Sequence, residues 1–137
     1  MKIVGIDLGR RTVGVAISDA LEMIASPVNT YRIRENDLQG ALSCVKMAIE
    51  EYGIQKIVLG LPKNMNGTIG PQAEYCLEFQ KMLEEDTKLE VIMIDERMTS
   101  IMANNLMLDA DLSRDKRKQN VDKLAASIIL QSYLDKK

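Results

Sequence analysis

The segment Lys2–Asp19, KIVGIDLGRRTVGVAISD, is the part of the chain from which the rest of the fold can be built outward. Its halves, KIVGIDLG and TVGVAISD, are rich in β-branched residues, punctuated by glycine and joined through Gly9, Arg10 and Arg11, which predicts a hairpin of two central strands. Asp7 interrupts the apolar pattern. It stands on the alternating face shared with Ile3 and Gly5, where strand propensity favours an apolar side chain, so an acid there needs a partner. Gly5 and Gly9 leave room for a ligand or another backbone to approach.

Downstream, Val28 to Ile33 reads as a third strand completing an antiparallel meander. After Asn36 or Asp37 as N-cap, the apolar residues Leu38, Leu42, Val45, Ile49 and Tyr52 recur at helical spacing until Gly53. IQKIVLG is a buried strand, LPKNMNGTIGP a loop, Pro71 to about Glu85 a helix, and LEVIMID a further strand. Thr99 or Ser100 is expected to cap a helix through about Leu108, and Asn120 to open a last helix to about Leu134. Between them, the polar stretch Asp109 to Gln119 is expected to form a mobile loop. This order predicts an α/β fold in a single domain over residues 1–137, a mixed five-stranded sheet of an antiparallel meander plus two parallel strands, flanked by helices.

At 137 residues and 46% hydrophobic, the chain can bury one sizeable core. No apolar run approaches bilayer-spanning length and Met1 leads directly into a strand, so a cytoplasmic protein with no membrane partner is expected. Cys44 and Cys76 lack C-x-x-C spacing and read as buried free thiols. The nine methionines read mostly as core filler.

The chain has no histidine, which removes the usual general base, the usual zinc ligand and every Ser-His or Cys-His nucleophile pairing. Catalysis must then rest on carboxylates, lysines or metals. Net charge is −2 and the pI about 5.2, which weighs against a nucleic-acid partner, but the charge is segregated. Arg114 to Lys118 carries four positive charges and one negative, whereas Glu74 to Glu90 holds six acids against two lysines.

Two further acids join Asp7 as candidates. Glu96 directly follows VIMID and should stand at or beyond the carboxyl end of a parallel strand, where open α/β sheets place their sites, with Asp95 pointing to the other side. Asp122 shares a helical face with Ala125, Ala126, Ile129 and Tyr133, opposite Lys123, Ser127 and Gln131. Taken alone, Asp122 reads equally as an acid favoured in the first turn of its helix. Three acids that converge would repel one another strongly without a cation, and oxygen-only ligation selects Mg²⁺ or Mn²⁺.

The blocks GIDLGRRTVGVAISD, VLGLPKNMNGTIGPQAE, DERMTS and VDKLAASIILQSYLD, in this order, resemble the YqgF/RuvX family of ribonuclease-H-like proteins across nearly the whole chain. DERMTS has Met-Ser where Leu-Thr is usual, and Lys123 stands where serine is common. The resemblance implies a ribonuclease-H-like nuclease whose three catalytic, metal-binding acids fall on Asp7, Glu96 and Asp122. It implies Holliday-junction resolution or maturation of the pre-16S rRNA end, hence branched DNA or pre-rRNA as partner.

Lys63 and Asn64, with Asn66, follow a buried strand at its carboxyl end and are candidate phosphate contacts, as are Arg97 beside Glu96 and the group Arg114, Lys116, Arg117 and Lys118. For each the alternative is a solvated or ion-paired surface residue. The expected mechanism is metal-assisted hydrolysis, with Asp7 bridging two Mg²⁺ about 3.5 to 4 Å apart and Glu96 and Asp122 holding one each. Two alternatives and an expectation for the oligomeric state stand beside it. The D-x-G hairpin also opens the actin and sugar-kinase superfamily, a non-catalytic assembly factor would keep the same fold, and the chain is expected to be a monomer or a homodimer.

Overall fold

The structure, a computed structural model, describes residues 1–96 and 114–136, with the side chains of 114–123 outside that description. The helix expected from Thr99 or Ser100 through Leu108 lies outside the described residues. Strands β1 (Ile3–Leu8), β2 (Thr12–Ser18), β3 (Ala25–Arg32), β4 (Lys56–Leu61) and β5 (Val91–Asp95) form a five-stranded sheet in the order β3-β2-β1-β4-β5. The β1–β2 and β2–β3 pairs are antiparallel, and the β1–β4 and β4–β5 pairs are parallel, as expected from the meander and crossover pattern.

β1 is central and covered on both faces, which is why it reads as a near-continuous apolar run. On one face lie helices α1 (Leu38–Tyr52) and α2 (Pro71–Thr87), whose Leu42, Val45, Phe79 and Leu83 pack on Val4, Ile6, Val13, Val15, Ile57 and Leu59. Asp37 is the N-cap of α1, accepting from the Gly40 N–H at 3.0 Å, and Gly53 ends the helix in the left-handed conformation at φ 65°. On the opposite face, α3 (Arg114–Lys136) lays Ala126, Ile129, Leu130 and Leu134 on Ile3, Ala16, Val58 and Ile94.

Glycines set how closely α3 lies. A Cβ on Gly5 would meet the Leu130 Cβ at 2.6 Å and the Ala126 carbonyl oxygen at 2.9 Å. Helix and sheet therefore touch backbone to backbone along β1. The Gln131 side chain fastens α3 to the start of β3, accepting from the Ala25 N–H at 2.9 Å and donating to the Met23 carbonyl at 3.0 Å.

Several expectations are corrected. β3 begins at Ala25 rather than Val28, because Pro27 is tolerated on an edge strand where the pairing with β2 shifts register at Val15/Ala16. α3 begins at Arg114 rather than Asn120, so Arg114 to Gln119 is helical, not loop. Arg, Lys and Gln favour helix, but a stretch that is polar all round shows no apolar period from which a helix can be read. Ser127 and Gln131 do not face away from the sheet: Ser127 is buried and Gln131 is bonded to the β3 segment. Met82 and Met93 pack on the core, whereas Met1, Met23, Met47 and Met65 are exposed, two of them in connections where no apolar layer covers them. Cys44 and Cys76 are free thiols, half-buried and buried. Among the described residues no helix is long and apolar enough to cross a membrane.

Candidate active site

Asp7 sits near the carboxyl end of β1, in register with Gly14 of β2. A Cβ on Gly14 would lie 3.6 Å from the Asp7 Cβ and 3.5 Å from the Ala126 Cβ, so Asp7 shares the α3 face of the sheet. Glu96 follows the last residue of β5, two strands from β1 with β4 between them. In β4 the intervening residue is Gly60, and a Cβ there would overlap the Glu96 carboxylate and stand 2.7 Å from the Ile129 Cδ1. The bare backbone at Gly60 is what lets the Glu96 side chain lie across the middle strand. A side-chain hydrogen bond joins it to Asp7.

This contact is possible between two acids only if one holds a proton. Burial, then the Asp7 charge, the hydrogen bond to Asp7 and the Asp95 charge push the Glu96 carboxyl up to about 9. Cys76 of α2 stands behind the pair, its thiol pushed up to about 12 by burial and by the Glu96 and Asp7 charges. Gln72, one turn earlier, donates to the Leu8 carbonyl at 3.2 Å and ties α2 to the end of β1.

Two facing carboxylates that share a proton form a concentrated oxygen donor set, and a hard divalent cation in place of that proton would relieve their repulsion. The residues therefore fit a hard divalent cation. Among the described residues no group of three His, Cys, Asp or Glu side chains gathers for a metal. The Asp122 side chain lies outside the described residues, but its backbone position follows from α3. Leu130 and Ala126 lie over Gly5, and Ala126 also over Gly14, so α3 runs antiparallel to β1; Asp122 is one turn, about 6 Å, further toward the end where Asp7 sits.

The connection after β4 carries Lys63 and Asn64. Asn64 donates through its side-chain amide to the Thr68 Oγ1 at 3.0 Å, its backbone carbonyl accepts from the Gly67 N–H at 2.8 Å, and Asn66 Oδ1 accepts from the Thr68 N–H at 3.1 Å. Asn64 thus shapes its own loop, while remaining exposed. Lys63 is half-buried beside it. Arg114, Lys116, Arg117 and Lys118 occupy the first turns of α3, on the Asp122 side of the helix length, with their side chains outside the description. Arg97 also lies outside the described residues. Sequence reasoning passed over Gly60, whose signal was a glycine inside a strand, a mark of close approach. It also passed over Cys76 as a neighbour of the acids, for which the sequence carries no signal.

A mixed sheet in this order, with α3 on one face and α1 and α2 on the other among the described residues, and an acidic pair at the carboxyl ends of β1 and β5, defines a ribonuclease-H-like fold. The chain belongs to the RuvX family, described as Holliday junction resolvase, whose model matches residues 1–136. It is 47% identical over 137 residues, all of both chains, to a Bacillus cereus (strain AH187) protein named "Putative pre-16S rRNA nuclease". Its fold is similar to that of the fowlpox virus Holliday junction resolvase, with TM-score 0.58, 15% identity and 100% of each chain covered. It is also similar to T. thermophilus RuvC in complex with Holliday junction substrate, with TM-score 0.56, 11% identity, and 98% of this chain and 96% of that one covered.

Proposed function

We propose that this chain is a single-domain, two-metal-ion nuclease of the cytoplasm that hydrolyses phosphodiester bonds at the end of pre-16S rRNA. Asp7, Glu96 and Asp122 are its catalytic and metal-holding carboxylates. The observation that carries this reading is the Asp7–Glu96 contact across Gly60, which places an acid pair at a carboxyl-end site. When bound, Mg²⁺ or Mn²⁺ would supply Lewis-acid polarisation of the scissile phosphate and a more acidic attacking water.

The chain's own residues then position and neutralise. Asp7 is fixed by the β1 ladder, and Glu96 is held across the sheet by the space at Gly60. Asp7 and Glu96 would hold the cation as a carboxylate pair, their shared proton being given up to solvent. Lys63, Asn64, Arg97 and the α3 residues Arg114, Lys116, Arg117 and Lys118 contact substrate phosphates, which orient the strand without reading bases. Membership of the RuvX family, rather than of the sugar kinases that share the hairpin, supports the nuclease side of the comparison.

The test is cleavage of a pre-rRNA leader and a four-way DNA junction side by side, with Mg²⁺ and with Mn²⁺. Metal-dependent cleavage of the leader, lost on changing one carboxylate, supports the proposal. Preferential cutting of the junction transfers the substrate to branched DNA, in keeping with the family description. No cleavage of either leaves a non-catalytic assembly factor.

A further inference from the structure

Outside the carboxylate pair, the described fold brings together two pairs of arginines that are distant in sequence. Arg10 and Arg11 form the β1–β2 turn, and Arg32 and Arg34 leave the end of β3. Hydrogen bonds hold the two segments together: the Ile33 N–H donates to the Arg11 carbonyl at 2.9 Å and the Asn36 N–H to the Arg10 carbonyl at 2.8 Å. All four arginines are exposed. Two acids accompany them, and both are engaged. Glu35 lies 3.6 Å from Arg11, and Asp37 caps α1. Among the described residues no carboxylate pairs with Arg10, Arg32 or Arg34.

The register fixes which face this group borders. Arg32 is paired with Thr12, two residues along β2 from Gly14, which is itself paired with Asp7 and with Thr30. Alternation puts Thr12, Gly14, Asp7 and Arg32 on the same face of the sheet. Arg32 is two strands over and two residues further along, so its Cα is about 12 Å from that of Asp7. An extended arginine spans much of that gap. The cluster lies on the β3 side of Asp7, away from β4 and β5, where Lys63 and Glu96 stand.

We propose that Arg10, Arg32 and Arg34, with Arg11, form a second phosphate-binding surface that grips the nucleic-acid backbone flanking the scissile phosphate on the β3 side. The inference rests on the nuclease reading of the Asp7–Glu96 site and extends it. Three guanidiniums without a carboxylate partner, carried on two segments hydrogen-bonded to each other, repel in the free protein, and a polyphosphate backbone neutralises them with bidentate hydrogen bonds. The same positive rim draws substrate toward a centre that is itself acidic, in a chain of net charge −2.

The experiment compares R10Q/R32Q/R34Q with K81Q/K88Q/K136Q, which removes the same charge from elsewhere on the molecule. Binding of a labelled single-stranded RNA is followed over a range of salt concentrations. Loss of three contacts should flatten the slope of log affinity against log salt by about 2 in the arginine variant alone. KM for cleavage should rise at least tenfold with kcat held. The R10K/R32K/R34K variant should restore most of the slope, which separates charge from folding. Equal changes in the arginine and lysine triples, or an unchanged slope, overturn the proposal. A wild type that binds with this arginine-dependent slope but never cleaves defeats the nuclease reading and leaves the surface standing.

Discussion

Gly60 and Glu96 contest one volume: the glycine in β4 has no Cβ, and the carboxylate from the end of β5 fills the place that a Cβ would take. Gly60→Ala therefore moves Glu96 off Asp7 without touching either acid. Because misplacement by about 1 Å costs on the order of 10²-fold in rate, cleavage should fall by that factor while circular dichroism stays native. A Gly60→Ala protein with full activity would show that Glu96 does its work from elsewhere.

The shared proton gives the metal-free protein an unusual pH response. Glu96 is raised from 4.5 to about 9, so above pH 4.5 the folded state holds a proton that the unfolded chain has released. The stabilisation is complete below pH 4.5 and is lost as pH rises toward 9. Melting temperature in chelator should decline across that window, and Glu96→Gln, which keeps the hydrogen bond without titrating, should flatten the decline.

Metal should displace the same proton. Calorimetric titration of Mn²⁺ at pH 7 in buffers of different ionisation enthalpy should report about one proton released per protein, from the Glu96 carboxyl. Zero release would mean that the cation sits away from the Asp7–Glu96 pair.

Asp7→Asn, Glu96→Gln and Asp122→Asn should each abolish cleavage with the fold intact, since shape is kept and charge is lost. Asp7→Asn should also diminish the rise in melting temperature on adding Mn²⁺, because one ligand charge is gone. Wild-type cleavage in any of the three removes that residue from the site.

Gly5→Ala tests the approach of α3 to the sheet. Its Cβ would meet the Leu130 Cβ at 2.6 Å and a backbone oxygen at 2.9 Å, so the helix must shift rather than a side chain turn. Chemical denaturation should show a loss of about 1–3 kcal/mol. Since α3 also carries Asp122, activity should fall further than stability alone explains.

The sheet and two of the three carboxylates were legible because they break a strong pattern: Asp7 interrupts a β-branched run, and Glu96 follows an apolar strand into a connection. The early turns of α3 were not, because Arg114 to Asn120 is polar throughout and periodicity needs an apolar face. The partnership of Glu96 with Gly60 and the gathering of Arg10 with Arg34 depend on strand order and register. Neither is local to any window of sequence, so propensity could not expose them.

The irregularity in β3 bears on how copies of this chain meet. Pro27 offers no N–H along the outer edge, and the register shift beside it adds twist, while Arg32 places a charge near the strand's end. A neighbouring strand cannot extend the sheet past β3 without breaking its own ladder. Growth through β3 into a continuous intermolecular ribbon, and the fibrous aggregation that follows from it, is blocked at this border, and a homodimer must be built elsewhere than on this edge.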